Sequence, residues 1–388
     1  MSTLVKKNTT VFVVDEAVEG TYDAASAGSE AIQPLADGLE LIPARETLER
    51  SNMSGSIGMA TPRAGMRSST ATIPCEFRAG DTSGEAPDYD LLMQGALGAS
   101  RSVSSVTSTT GHSASSINMS AENASGYTIG DIVVIKESEA YHCSPVTAVN
   151  ETSINLLVSA TGAFSDEVVI EASEVYYPAD SGHPSLTVEI WLESVRKEYG
   201  SGMKVTNMSL NNFSTGVLAD LSFSLEGSGY SQSIGTLGVT AAFEDSLPPV
   251  ILSACLYQDG VAIAVNDFSL SVENSLGWVT STCSANGRIS SRVTNRKVSG
   301  SFSPYKDGTS VANFTKFDNS TSFSIFVHAY NPATTSGEFD QVVGFYLPDV
   351  KINELGAADK DGVVQESINF SASRGNSNDT DEIFFGSI

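Results

Sequence analysis

Apolar residues alternate with small polar ones through much of the chain, the two-residue period of strands that bury one face. Leu186-Thr-Val188-Glu-Ile190, Leu221-Ser-Phe223-Ser-Leu225, Phe268-Ser-Leu270-Ser-Val272, Val298-Ser-Gly-Ser-Phe302, Phe323-Ser-Ile325-Phe-Val327 and Ile368-Asn-Phe370 all read this way. Asp259-Gly260 between apolar runs predicts a tight hairpin, because both residues tolerate positive φ. The helical period is rare. Tyr89, Leu92, Met93, Ala96 and Leu97 follow it, with Asp88 placed to cap the start and Gly98 the end. A second helix is predicted near Ser310 to Phe317, where Val311, Phe314 and Phe317 share a stripe.

The pattern also repeats, weakly but in order. Gly38-Leu-Glu-Leu41 begins a strand in the first half and Asp267-Phe-Ser-Leu270 one in the second. Each is followed by a long Gly- and Ser-rich loop, Pro43 to Ser69 and Asn274 to Asn295, basic near its end. A strand, the helix and further strands then follow in both halves. Aligning Phe77 with Phe302 gives an offset of 225, and Val188 with Ile325 an offset of 137, so the first half holds 225 − 137 = 88 additional residues. They fall at about Ser102 to Ala179, whose short apolar runs around Ile132, Val146 and Ile154 predict a small inserted β-barrel. The expected plan is a first unit made of residues 1–101 and 180–236, an inserted β-domain at 102–179 on the exterior, and a second unit at 237–388.

Composition narrows the function. With 46 acidic and 21 basic side chains the net charge is −25, which disfavours any role that grips nucleic acid. The start carries no signal-peptide core, and no run of about 18 apolar residues is present to span a membrane. Cys75, Cys143, Cys255 and Cys283 are far apart and read as free thiols of a reducing compartment.

Chemistry-bearing motifs are missing. His112, His142, His183 and His328 show no metal-ligand spacing, and there is no G-x-S-x-G elbow, phosphate-binding loop or dinucleotide fingerprint. A Ser/His/Asp triad stays open, because its members come from anywhere in a chain. Asp359-Lys-Asp361-Gly362 lacks the twelfth-position Glu of a calcium loop and reads as a solvated turn. Asp379-Thr-Asp-Glu382 reads as a turn into the last strand, Trp191 as core or interface, and Tyr176-Tyr177 as a domain junction. No catalytic residue, metal ligand or cofactor is expected.

The order of elements resembles a known family. Glu19-Gly-Thr-Tyr22, Leu39-Glu-Leu41, Thr47-Leu-Glu-Arg50, Gly65-Met-Arg67, the helix Tyr89 to Leu97 and the closing stretch Val364 to Phe370 through Glu382-Ile-Phe-Phe385 resemble siphophage tail tube proteins, also called major tail proteins. The resemblance covers both halves and not the insert. It implies tandem β-sandwich or barrel units, each with a flanking helix and each giving four strands to a barrel around a lumen. It implies a non-enzymatic virion protein of a long, flexible, non-contractile tail, assembled in the bacterial cytoplasm. Its partners would be further copies of itself, the tape measure protein, the tail terminator and the distal tail proteins, with double-stranded DNA in passage and no membrane. The duplication implies rings of three chains with pseudo-sixfold symmetry. Arg50, Arg63, Arg67, Arg288, Arg292 and Arg296 would serve stacking between rings, and Glu40, Glu76 and Glu189 would face the lumen. A surface adhesin or carbohydrate-binding β-protein is the alternative, and a divergent hydrolase a more distant one.

Overall fold

The computed structural model describes residues 4–388 except 27–30, 54–56, 138–139, 253, 285, 307–310, 333–338 and 376–380. The protein is mainly β. Six strands of its first part are β1 (Thr9–Asp15), β2 (Glu40–Leu48), β3 (Arg63–Glu76), β4 (Leu186–Leu192), β5 (Arg196–Ser214) and β6 (Asp220–Gly227). Six of its second part are β7 (Ala254–Gln258), β8 (Val265–Thr280), β9 (Arg288–Pro304), β10 (Phe323–Pro332), β11 (Phe339–Lys360) and β12 (Val363–Ala372). The first set pairs in the order β1–β4–β5–β6–β3–β2, every pair antiparallel. The second pairs β7–β10–β11–β12–β9–β8, the same order with six added to each label.

Two bulges fix the correspondence between the sets, since an extra residue in a ladder marks one register only. In β5 the ladder to β6 shifts between Val205 and Asn207, and in β11 the ladder to β12 shifts between Ile352 and Glu354. The ladder from β4 to β5 shifts between Leu186 and Val188, and that from β10 to β11 between Phe323 and Ile325. Leu225 and Phe370 thereby correspond, and their partners on the next strand are Ala71 and Gly300, 229 residues apart. The backbone agrees: the N–H of Phe77 donates to Ala219 and that of Lys306 to Val364, each at 3.1 Å. The offset of 225 is therefore corrected to 229, and Ile73 rather than Phe77 is the counterpart of Phe302. The Val188–Ile325 offset of 137 agrees with the bulges, so the first set holds 229 − 137 = 92 more residues between these points.

The helices are α1 (Asp90–Leu97) and α2 (Ala312–Asp318). Gly98 ends α1 in the left-handed region at φ 114°, but Tyr89 holds the N-cap position and no side chain caps it. Asp88 instead pairs with Arg78 at 2.8 Å and accepts the N–H of Gln33 at 2.9 Å. A buried guanidinium needs a carboxylate more than a helix start needs a cap, because an unpaired internal charge costs more. The start expected for α2 at Ser310 lies outside the described residues. Asp259 and Gly260 (φ 51° and 76°) make the expected hairpin turn, and Asp361 and Gly362 (φ 53° and 84°) a second one between β11 and β12.

The long loop expected at 274–295 is mostly strand, and about half of the one expected at 43–69 is. They form the outer parts of two hairpins, β2–β3 and β8–β9, paired out to Leu48–Arg63 and Thr280–Arg288. Ser, Thr, Asn and Arg interrupt both faces of these strands, so apolar residues such as Leu276, Trp278 and Val293 form no sustained alternation.

The inserted segment has its own six-stranded sheet and apolar core, centred on Ile117, Val133, Ile135, Val146 and Ile154. Its other face does not stand clear of the rest. Ile132, Val134, Cys143 and Val158 pack on Phe326, Val342, Tyr346, Phe384 and Ile388. The C-terminal strand β13 (Phe384–Ser387) joins the parts by pairing with Glu174–Tyr176 on one side and Val343–Tyr346 on the other. Phe385 stands at the middle of an aromatic cluster, with ring centroids 4.9 Å from Phe345, 5.6 Å from Tyr176, 6.2 Å from Phe77 and 6.4 Å from Tyr89.

Between the two sets, Glu244 lies 3.7 Å from the Arg78 guanidinium in the buried Arg78–Asp88 pair. Burial, then the neighbouring Asp88 charge, lifts its carboxyl from the usual 4.5 to about 8. The folded chain then keeps a proton that the unfolded chain releases above pH 4.5. Stability from this group is full below that pH, falls as pH rises towards about 8, and is flat beyond. Glu244→Gln is expected to melt with wild type near pH 4 and roughly 3 °C above it near pH 8. Equal melting at both pH values in differential scanning fluorimetry would contradict this environment.

Candidate assembly surface

The two sets share one sheet. β5 carries β6 on one side and, beyond the end of β4, β8 on the other, with Asn207 opposite Glu273, Ser209 opposite Ser271 and Leu210 opposite Leu270. The strand order is therefore β2–β3–β6–β5–β8–β9–β12–β11, four strands from each set.

Opposed residues on adjacent strands share a face, so each row across the sheet reads as one surface. One row is Ile73, Phe223, Met208, Val272, Val298, Ala372 and Val350. It is apolar and, with the rows parallel to it, belongs to a core continuous through both sets. The adjacent row is Pro74, Ser222, Ser209, Ser271, Ser299, Ser371 and Lys351, and another is Glu40, Thr72, Ser224, Asn207, Glu273 and Lys297. Glu76 lies opposite Asp220, and Asn369 opposite both Ser301 and Glu354. This second face is built of hydroxyls, amides and carboxylates, with Lys297 and Lys351 among its few cations. Eight strands thus separate a dry core from a broad polar surface that has acidic groups along its length.

Among the described residues the sheet has two free edges. β2 pairs only with β3, and the distal part of β11, from Glu354 to Lys360, pairs only with β12 among the described residues. Ile42 and Leu48 on the first edge are about half exposed, at 49% and 48%. An open ladder of N–H and C=O groups is a template for another strand.

The arginines and glutamates singled out by sequence separate on this frame. Glu40 and Glu76 lie on the polar face. Glu189 does not: it is on β4, outside the eight-stranded sheet, and 2% exposed. It accepts a hydrogen bond from the Tyr22 hydroxyl and sits 3.5 Å from the Lys197 ammonium. In the single chain it is thus enclosed by its own partners, unlike Glu40 and Glu76. β4 is buried on both faces, and alternation cannot tell such a strand from a half-exposed one. Arg288 pairs with Glu226 at 3.0 Å and stacks on Trp278, and Arg296 pairs with Glu382 at 3.0 Å while donating to the Leu97 carbonyl. Both hold this chain together. Arg50, Arg63, Arg67 and Arg292 are exposed.

Sequence reasoning missed the β5–β8 junction, which has no local signature because the two strands are joined through residues 215–264. Among the described residues no cluster of three His, Cys, Asp or Glu could hold a metal ion, and no helix is long and apolar enough to cross a membrane. His328 is buried beside Tyr257 and Phe326, and burial lowers its pKa to about 4, which keeps it neutral.

The model of one family, the phage tail tube protein, matches residues 6–372 and so runs through both strand sets and the insert. The chain belongs to the phage tail tube protein family. It is a structural component of the phage tail. A search of curated proteins returned no match. For a tail tube protein the polar sheet face and the free edges are the features that bear on function, since a tube is made by subunits meeting side by side and end to end.

Proposed function

We propose that this protein assembles into stacked rings of three chains that form the tube of a long non-contractile tail and conduct the genome. Residues 1–101 with 180–236, and 237–388, act as two tube units in one chain, and 102–179 as an outer addition to the first. The observation that supports this reading most is the eight-stranded sheet open at both edges. Two units already meet in it through β5–β8, as neighbouring subunits of a ring must meet. Three such sheets make a closed barrel of twenty-four strands and leave no free edge.

The polar face then lines the lumen. Glu40, Glu76, Asp220, Asp267, Glu273 and Glu354 repel phosphate, and the serines between them offer it no cation to bind. DNA would slide past such a wall. Arg50 and Arg63 near the tip of the β2–β3 hairpin, and Arg292 on β9, are placed for contact between rings. The tape measure protein would occupy the lumen before DNA, with the terminator and distal tail proteins closing the two ends. The adhesin reading has no comparable support, because the face of the insert that would have to be free is partly covered by Phe326, Tyr346 and Phe384.

The test is assembly of the purified full chain. Electron microscopy is expected to show tubes of uniform diameter with an axial hole, appearing above a threshold concentration. Monomers alone at every concentration, also with tail initiation proteins present, would refute the reading.

A further inference from the structure

The internal junction specifies how one copy meets the next. β11 corresponds to β5 at an offset of 147, through Val205 and Ile352, and β2 corresponds to β8 at 229, through Leu41 and Leu270. β5 is paired with β8, whereas the corresponding stretch of β11 and the whole of β2 have no such partner among the described residues. We propose that β2 of one copy adds antiparallel to the distal part of β11 of another in the register of β5–β8. Glu354 then lies opposite Ala44, Gly356 opposite Ile42, and Ala357 opposite Leu41. This rests on reading the chain as a ring subunit and adds which strands meet and at which residues.

The surroundings fit the placement. At the internal junction Asn274 donates to the Ala96 carbonyl at 2.8 Å and Arg296 to the Leu97 carbonyl at 3.0 Å, both at the C-terminal end of α1. Asn274 and Arg296 are opposed on β8 and β9, as Arg45 and Arg67 are on β2 and β3, again 229 residues earlier. The incoming hairpin therefore brings two arginines to the C-terminal end of α2, which ends in Asp318 and whose one cation, Lys316, is already paired with Asp259. Arg45 and Arg67 are exposed in the single chain, and Val311, Phe314 and Phe317 beside that site are 72%, 55% and 39% exposed, against full burial for Leu92, Met93 and Leu97 of α1. Arg67, which sequence assigned to stacking, becomes a lateral contact. Pro43 stands where β8 has Val272, so one position of the ladder has no N–H to give.

Disulfide trapping tests the register, since a bond forms only between directly opposed positions. In a Cys283→Ser background, the full chain with Ala44→Cys and Glu354→Cys is assembled, oxidised and run on a non-reducing gel. Ile42→Cys with Gly356→Cys serves as a second opposed pair, and Ala44→Cys with Gly356→Cys as a pair two residues out of register. Both opposed pairs are expected to convert most of the chain to covalent oligomers ending at a trimer, and the displaced pair to leave it monomeric. Tubes that form normally but cross-link through the displaced pair, or through none, would overturn the register and leave the tube reading standing. Failure of the unsubstituted chain to form tubes would overturn both.

Discussion

Replacing Leu41 with lysine is expected to abolish tube assembly while leaving the single chain folded. Leu41 lies on the free strand β2, half-buried at the margin of the core. In one chain a lysine there can turn its ammonium to water. In a ring, the corresponding position on β8 is Leu270, which is 1% exposed and opposed to Leu210. A charge driven into that setting without a partner costs about 3 kcal/mol or more at every junction, a rise of at least roughly 100-fold in the concentration needed for assembly. Leu270→Lys provides the contrast, since the same change at the internal junction is expected to unfold the monomer. Sedimentation with circular dichroism separates the outcomes. Leu41→Lys that forms tubes at the wild-type threshold would show that β2 is not buried in the assembly.

Phe385→Ala is expected to give the largest loss of monomer stability among single truncations. The side chain is fully buried and its ring meets Phe77 just after β3, Tyr89 at the N-cap of α1, Tyr176 on the last strand of the insert (Ser173–Pro178) and Phe345 on β11. Removing it leaves a cavity in a place that cannot collapse, because four separate elements frame it. The expected cost is about 3–5 kcal/mol, a fall in Tm of roughly 5 °C for a cooperative unit of this length. Phe384, one residue away, faces Gly130 and Tyr346 on the other side and connects the insert instead. A Phe385→Ala chain that melts with wild type would mean that the C-terminal strand does not hold the two sets together.

The fold was legible where burial is one-sided. Strands such as Leu221–Leu225 and Phe268–Val272 alternate because one face meets the core and the other is the polar sheet surface. α1 was legible because all of its stripe is buried, and Gly98 marks its end. Legibility failed where both faces are alike. β4 is buried on both, so alternation does not show that Glu189 is enclosed; the outer parts of β2–β3 and β8–β9 have polar residues interrupting both faces and read as loops. The register of the repeat slipped by four residues because Phe77 and Phe302 are both large aromatics, whereas the true counterparts of Ala71 and Ile73 are Gly300 and Phe302, which change size. Asp88 was assigned to α1 because sequence shows a cap signal but not the buried Arg78 that outcompetes it. The polar face could be named only in part, since cross-strand rows depend on pairings between residues far apart in the chain.

The central claim is that two units in one chain do the work of two subunits, and ring symmetry tests it most directly. Averaged end-on views of assembled tubes by electron microscopy are expected to show three chains per ring, with six similar inner segments and three outer densities from the inserts. Six chains per ring, with twelve inner segments or with one set of strands outside the wall, would contradict it.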